Sequence, residues 1–225
     1  MKIKTIASSS SGCCYLIESQ GEQLLIECGI PLKKIRESLD FDLSRVVGCL
    51  VSHEHKDHCR SLAGITIHTN ITSYAPDSFS GVVLCRCGGL SAGEVFACDH
   101  FRIKAISLKH DVECFGYVIK SGKDILFYAT DTSEVNYTIK GLTHLMIEAN
   151  YSFEKLSKST ADKSVIARVS ENHLSIDAAI EFAERHKDTL REVHLLHLSD
   201  AHSDERQFKR MAQEALGVPV YVAKK

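Results

Sequence analysis

The stretch RVVGCLVSHEHKDHC (45–59) constrains this chain more than any other. An apolar run of strand length, 45–52, stops abruptly at three histidines and two acids packed into six positions. Neither an amphipathic helix nor a half-buried strand requires the alternation of His53, His55, Asp57 and His58. A buried strand that ends in four ligand-type side chains predicts a site at its C-terminal end, with other strand ends nearby to complete it. Imidazoles at i and i+2 converge on one ion where the backbone bends, and Asp57 and His58 then reach a second ion close by. Imidazole, carboxylate and water together suit divalent zinc, manganese or iron. The competing reading is a polar surface loop rich in histidine by chance.

The rest of the pattern supplies the strands. Short strands are predicted at 2–6, 14–18 and 23–27, then a helix over 30–39 with Pro31 near its start. Residues 57–63 predict a short helix, and 65–85 a further strand–helix–strand unit. Strands follow at 101–107, 114–120 and 124–129, the last two joined by the hairpin turn SGKD. Residues 143–150, 191–199 and 219–223 also read as strands. Helices are predicted at 160–169, 175–186 and 203–215, the second with Ser175 as N-cap and Asp177 in its first turn. Such alternation implies sheets packed on each other with helices outside.

No Pro/Gly/Ser-rich linker or long charge run breaks the 225 residues, which predicts one domain over 1–225. A chain of that length buries roughly 70% of its surface, so no disulfide or metal is needed merely to hold a core. A net charge of −2 is no polyanion trap, so any nucleic-acid contact must come from local patches. Nine scattered cysteines without a signal peptide point to a reducing, cytoplasmic setting. No segment approaches the ~18 consecutive apolar residues of a membrane span. The cysteines of CRCGG (85–89) have no second pair at ligand spacing and read as buried or turn residues.

Further ligand candidates stand at predicted strand ends. His110 follows FRIKAISLK, Asp131 follows ILFYAT, and His197 lies inside LLHLS. Each alone reads as a satisfied polar residue; their order after the cluster changes that.

HEHKDH matches the H-x-H-x-D-H signature of the metallo-β-lactamase superfamily, and KHD, ATDT and LLHLS fall in the order of its later motifs. The resemblance implies an α/β fold, the four-layer αβ/βα sandwich, with two divalent ions, zinc or manganese. One ion would be held by His53, His55 and His110, the other by Asp57, His58 and His197, with Asp131 bridging. Each ion lowers the pKa of water from ~15.7 towards ~7, giving a hydroxide nucleophile at neutral pH. Asp131 stands where the β-lactamase subgroup uses a thiolate. SSSSGCCYLIE, LLIECGIPLKKI, KHDVECFGYVI, IEANYSFEKL and ENHLSIDAAIEFA run in the order found in WalJ/YycJ-type proteins, a subgroup of DNA exonucleases and phosphodiesterases. Two residues depart from the pattern: Glu27 where Asp is usual, and Cys13 where Asn is expected after SSSSG. The extra methylene of Glu27 bears on how a ligand is oriented.

IEAN and ENHLS supply Glu148 and His173, which in the nuclease and phosphodiesterase branches pair beside the scissile phosphate. Such an alkoxide leaving group needs protonation, and a carboxylate on an imidazole keeps the ring able to donate. The alternative is that Glu148 caps backbone and His173 is a turn residue before Ser175. The implied catalytic set is therefore Asp57, Glu148 and His173. Lys155, Lys158, Lys163 and Arg168 either bind flanking phosphates or form a solvated helix face. The expected function is cleavage of DNA from a 5′ end. Its rivals are a small cyclic or nucleotide phosphodiester substrate, a thioester substrate, and a metal-binding or redox module without turnover.

Overall fold

The computed structural model describes residues 1–79 and 87–223, with the backbone alone at Cys87. The first half forms a six-stranded sheet. Strands β1 (Lys2–Ala7), β2 (Cys14–Ser19) and β3 (Glu22–Ile26) pair antiparallel. Strands β4 (Val46–Leu50), β5 (Ser73–Pro76) and β6 (Cys87–Leu90) extend them in parallel. Helices α1 (Leu32–Ser38), α2 (Lys56–Cys59) and α3 (Leu62–His68) interrupt this half.

The second half forms a seven-stranded sheet. β7 (Val95–Cys98), β8 (Phe101–Leu108), β9 (Cys114–Ser121) and β10 (Asp124–Ala129) are antiparallel. β11 (His144–Glu148), β12 (Glu192–Leu196) and β13 (Val220–Val222) continue from β10 in parallel. Helices α4 (Phe153–Ser157), α5 (Lys163–Asn172), α6 (Ile176–Glu184) and α7 (Glu205–Leu216) fall between and after β11 and β12.

Period-two alternation builds the layers. Tyr15 and Ile17 of β2 and Leu126 and Tyr128 of β10 face each other between the sheets. Their neighbours Cys14 and Leu16 point the other way, to a cluster with Ile35 of α1 and Ile65 of α3. Phe127 and Ala129 point to a third cluster, with Phe182 of α6 and Phe208 of α7. Full burial of each large side chain contributes about 1.5–3 kcal/mol. The result is helices, sheet, sheet, helices: the four-layer sandwich expected from the motifs. Ser175 caps α6 by accepting from the Ala178 amide at 3.1 Å, and SGKD turns β9 into β10 with Gly122 at φ +58°.

Some elements differ from the sequence reading. Residues 65–68 lie in α3, not in a strand. Their β-branched side chains favour strand, but Leu62 and Ile65 bury one helical face, and Thr66 Oγ1 bonds back to the Leu62 carbonyl at 2.9 Å. The helix expected at 160–169 is displaced to Lys163–Asn172, because the extended Asp162 precedes it and His173 ends it. The short elements β7 and α4 were not anticipated. Of the CRCGG cysteines, Cys85 and the Cys87 side chain lie outside the described residues. Among the described residues no helix is long and apolar enough to cross a membrane.

Candidate metal centre

The C-terminal ends of β3, β4, β10, β11 and β12 open onto one rim, where ladder hydrogen bonding stops and side chains converge. Three of the residues just past these ends adopt left-handed backbone: Glu27 (φ 62°), Asp131 (φ 49°) and His197 (φ 52°). Each such turn costs on the order of 1 kcal/mol and must be held in place. His197 is held on both sides, its N–H donating to Ser8 Oγ at 3.0 Å and its carbonyl accepting from Asn150 Nδ2 at 2.8 Å. The Glu27 amide is held by the Leu50 carbonyl at 2.8 Å.

Close backbone packing seats α2. The Asp57 carbonyl accepts from the Cys13 amide at 2.7 Å, and the Cys28 amide donates to the His58 carbonyl at 2.8 Å. This requires Gly29, where a Cβ would fall 1.6 Å from the Asp57 oxygen.

The seven ligand candidates His53, His55, Asp57, His58, His110, Asp131 and His197 come together here, with Glu148 and His173 beside them. Ring nitrogens of His53, His55 and His110 lie within 4.8 Å of one another, as do ligand atoms of His53, His58 and Asp131. Asp131 Oδ2 is 3.1 Å from His58 Nε2, and Asp57 Oδ2 is 3.5 Å from that nitrogen and 3.9 Å from His197 Nε2. Asp131 thus stands between the two groups of histidines.

The supporting contacts are set by space rather than sequence. Ser52 Oγ meets His53 Nδ1 at 2.8 Å, and Thr130 Oγ1 donates to Asp131 Oδ2 at 2.8 Å. Glu27 accepts from Tyr128 at 3.0 Å and stands 3.6 Å from His58 Nδ1. Its carboxylate therefore stands beside the His58 ring at longer than hydrogen-bond range. Asp111 lies 3.1 Å from His110 Nε2 and 3.5 Å from His55 Nε2. Of these, only Glu27 carried a signal in the sequence.

Glu148 does more than pair with His173. Its Oε1 accepts from His173 Nδ1 at 2.7 Å and from His197 Nδ1 at 3.0 Å. Its Oε2 accepts from the Thr132 and Leu174 amides at 3.2 and 3.1 Å. The carboxylate is fully buried and saturated. One residue thus fixes both the ring at the cleft and the tautomer of His197, whose Nε2 is left facing Asp57.

The electrostatics balance without bulk solvent. Burial pushes His53 well below the usual histidine range, and the neighbouring His58 pushes it further. Burial is the largest influence on His58 and His197 and opposes their charge, but Asp131 together with other neighbours, among them Glu27 for His58 and Glu148 for His197, raises both. Burial likewise opposes the charge on Asp131, yet His197 and His58 hold it well below the carboxylate range. For His173, burial is overcome by Glu148 and Asp131, and its pKa rises to about 9. Protons on histidines thus compensate a buried anionic centre.

A divalent cation fits the same donors. His53 Nε2, both nitrogens of His58, His110 Nδ1 and His197 Nε2 are buried without a hydrogen bond; His58 Nε2 is near Asp131 but off the hydrogen-bonding direction. Each buried unsatisfied polar atom costs about 1–3 kcal/mol. Concentrating five of them around carboxylates is chemically sensible for metal ligands. The His and Asp clusters are thus compatible with divalent metal binding.

The centre opens into a cleft of about 600 Å³, lined by Lys56, Asp57, His110, Arg168 and His173 among others. Of the basic residues noted from 155 to 168, Arg168 lines this cleft. Lys158 is paired with Glu154 at 2.6 Å and Lys155 with Asp204 at 3.9 Å, so those two charges are partly neutralised.

Residues 24–198 match the family model described as beta-lactamase superfamily domain. The chain is 24% identical over 218 residues to the exodeoxyribonuclease YycJ of Bacillus anthracis, covering 88% of this chain and 83% of that one. Among solved structures it is similar to the metallo-beta-lactamase fold protein YhfI of Bacillus subtilis. The TM-score is 0.77 at 19% identity, over 99% of this chain and 95% of that one. It is also similar to the short form of human tRNase Z, with TM-score 0.68 at 16% identity over 100% and 97% of the two chains.

Proposed function

This chain belongs to the beta-lactamase superfamily, and from that membership we propose that it is a two-metal phosphodiesterase that shortens DNA from a 5′ end. The family and its relatives make it a metal-dependent hydrolase. In our reading His53, His55 and His110 would hold one divalent ion and Asp57, His58 and His197 the other, with Asp131 available to both. Bound zinc or manganese supplies Lewis-acid polarisation of a phosphoryl oxygen and a water acidified towards neutral pH.

The observation that carries the reading is the Glu148–His173 pair at 2.7 Å on the wall of the cleft. Glu148 occupies Nδ1, so the proton His173 has to give is on Nε2. The Glu148 carboxylate beside the ring favours its protonated form; in the metal-free protein Glu148 and Asp131 overcome burial and raise the pKa to about 9. Departure of an alkoxide from phosphorus needs such an acid, whereas a thiolate leaves from a thioester unaided. Arg168 and Lys56 line the same cleft and offer cations suited to phosphate oxygens. Similarity to an exodeoxyribonuclease over most of both chains supports DNA as the polymer. We place the protein in the cytoplasm, acting as one domain, a setting in keeping with seven unpaired cysteines among the described residues.

The test is the product length from 5′- and 3′-labelled DNA, with zinc and with manganese. Digestion from a 5′ end releases a 5′ label at once in the shortest products, while a 3′ label passes down a ladder. Binding should weaken with salt, with a slope of about −0.7 to −0.9 per phosphate neutralised. Faster turnover of cyclic or dinucleotide esters, with little salt dependence, would replace DNA by a small phosphodiester.

A further inference from the structure

Cys13 belongs to the centre in a way its sequence position does not announce. Its Sγ and ring nitrogens of His58 and His197 lie within 4.8 Å of one another. All three side chains are buried, and His58 Nδ1 and Nε2 and His197 Nε2 have no hydrogen bond. The backbone fixes this placement. The Cys13 amide donates to the Asp57 carbonyl at 2.7 Å, and its carbonyl accepts from Gly29 at 2.9 Å. The thiol donates weakly to the Ser9 carbonyl, at 3.5 Å. By contrast, Cys114 lies 3.8 Å from His53 Nδ1, the nitrogen already met by Ser52, and so stands behind that ring.

We propose that Cys13 is a ligand of the ion held by His58 and His197, and that its sulfur makes this half of the centre selective for zinc over manganese. The inference rests on the reading that the centre holds divalent ions. Coordination forms a metal–sulfur bond, breaks the S–H bond and releases one proton to solvent, with no change of oxidation state. Thiolate is a soft donor that strongly favours zinc, whereas imidazole and carboxylate discriminate less between zinc and manganese. The group of His53, His55 and His110 gains no such donor, so the two halves should differ in metal preference.

Cobalt(II) in place of zinc tests this without turnover. The wild type loaded with cobalt should show visible d–d bands together with a thiolate-to-cobalt charge-transfer band in the near ultraviolet. Cys13→Ser and Cys13→Asn should keep the d–d bands and lose the charge-transfer band, and Cys114→Ala should keep both. Zinc affinity of one ion should fall in Cys13→Asn by at least the roughly 10–100-fold that losing even an outer partner costs. That variant should also release one proton fewer on loading. Wild-type d–d bands without charge transfer would overturn the proposal, and this spectrum decides even where a variant fails to fold. A band surviving in Cys13→Asn would do the same. Absence of all cobalt bands would instead defeat the metal reading itself.

Discussion

Replacing Glu148 with Gln keeps the volume of a fully buried side chain and changes what it can accept. Glu148 takes four hydrogen bonds, two from imidazole Nδ1 atoms and two from backbone amides. An amide offers one oxygen and one NH2. The Thr132 and Leu174 amides can only donate, so the oxygen must face them and the NH2 must face the rings. Both imidazoles must then accept at Nδ1, which moves the proton of neutral His197 to Nε2, the atom facing Asp57 at 3.9 Å. A protonated Nε2 cannot bind metal. The expected loss in affinity for the ion at His197 is roughly 10–100-fold. His173 keeps a proton on Nε2 but loses its positive charge, and as a neutral, far weaker acid it should lower turnover by roughly 10²–10⁴-fold. Breaking the buried ion pairs should destabilise the metal-free protein by about 3–5 kcal/mol. Chelator competition reads the first effect, turnover with both ions saturating the second, and denaturant unfolding the third. Wild-type affinity for both ions in Glu148→Gln would refute the reasoning.

Asp131→Ala should weaken both ions, while His53→Ala and His58→Ala each empty mainly one, as elemental analysis of the purified variants will read. His173→Ala should retain metal but lose roughly 10²–10⁴-fold on an alkoxide-leaving phosphodiester. With a nitrophenolate leaving group the loss should be much smaller, and equal losses would remove its role as acid. Gly29→Ala would drive a Cβ to 1.6 Å from the Asp57 carbonyl. It should cost about 3 kcal/mol or more and reduce metal content with it, both checked on one preparation. The pKa of His173 is raised from 6.5 to about 9 in the folded metal-free protein. Its stabilisation is therefore complete below about pH 6.5 and lost as pH rises through about 9. Unfolding of the metal-free protein across that window should show falling stability, with a flatter slope in His173→Asn.

What was legible in the sequence was whatever the chain places close together or repeats with a period. Four ligand-type residues in six positions after an apolar run located the strand end. Period-two alternation in β8 marks its buried face, whereas β10 reads as a continuous apolar run because both of its faces are covered. His110, Asp131 and His197 were legible through motif order, because each follows a different strand and no local pattern ties them together. The second bond of Glu148, to His197, could not be read, since it depends on β11 and β12 lying side by side in parallel register. Ser52, Thr130 and Asp111 are ordinary polar residues whose contacts arise from the convergence of loops. The helix α3 departs from the local signal because β-branching favours strand while burial of Leu62 and Ile65 on one face decides for helix. Lys158 pairs with Glu154 at i,i−4, a spacing open to reading, whereas the pairing of Lys155 with Asp204 is tertiary.

The most direct test is phosphodiester turnover by metal-free protein as zinc or manganese is added back in known equivalents. The expected result is negligible activity without metal and a rise that breaks at two equivalents per chain, with Asp131→Ala inactive throughout. A break at one equivalent, or full activity without added metal in protein shown to be metal-free, would contradict a two-metal phosphodiesterase.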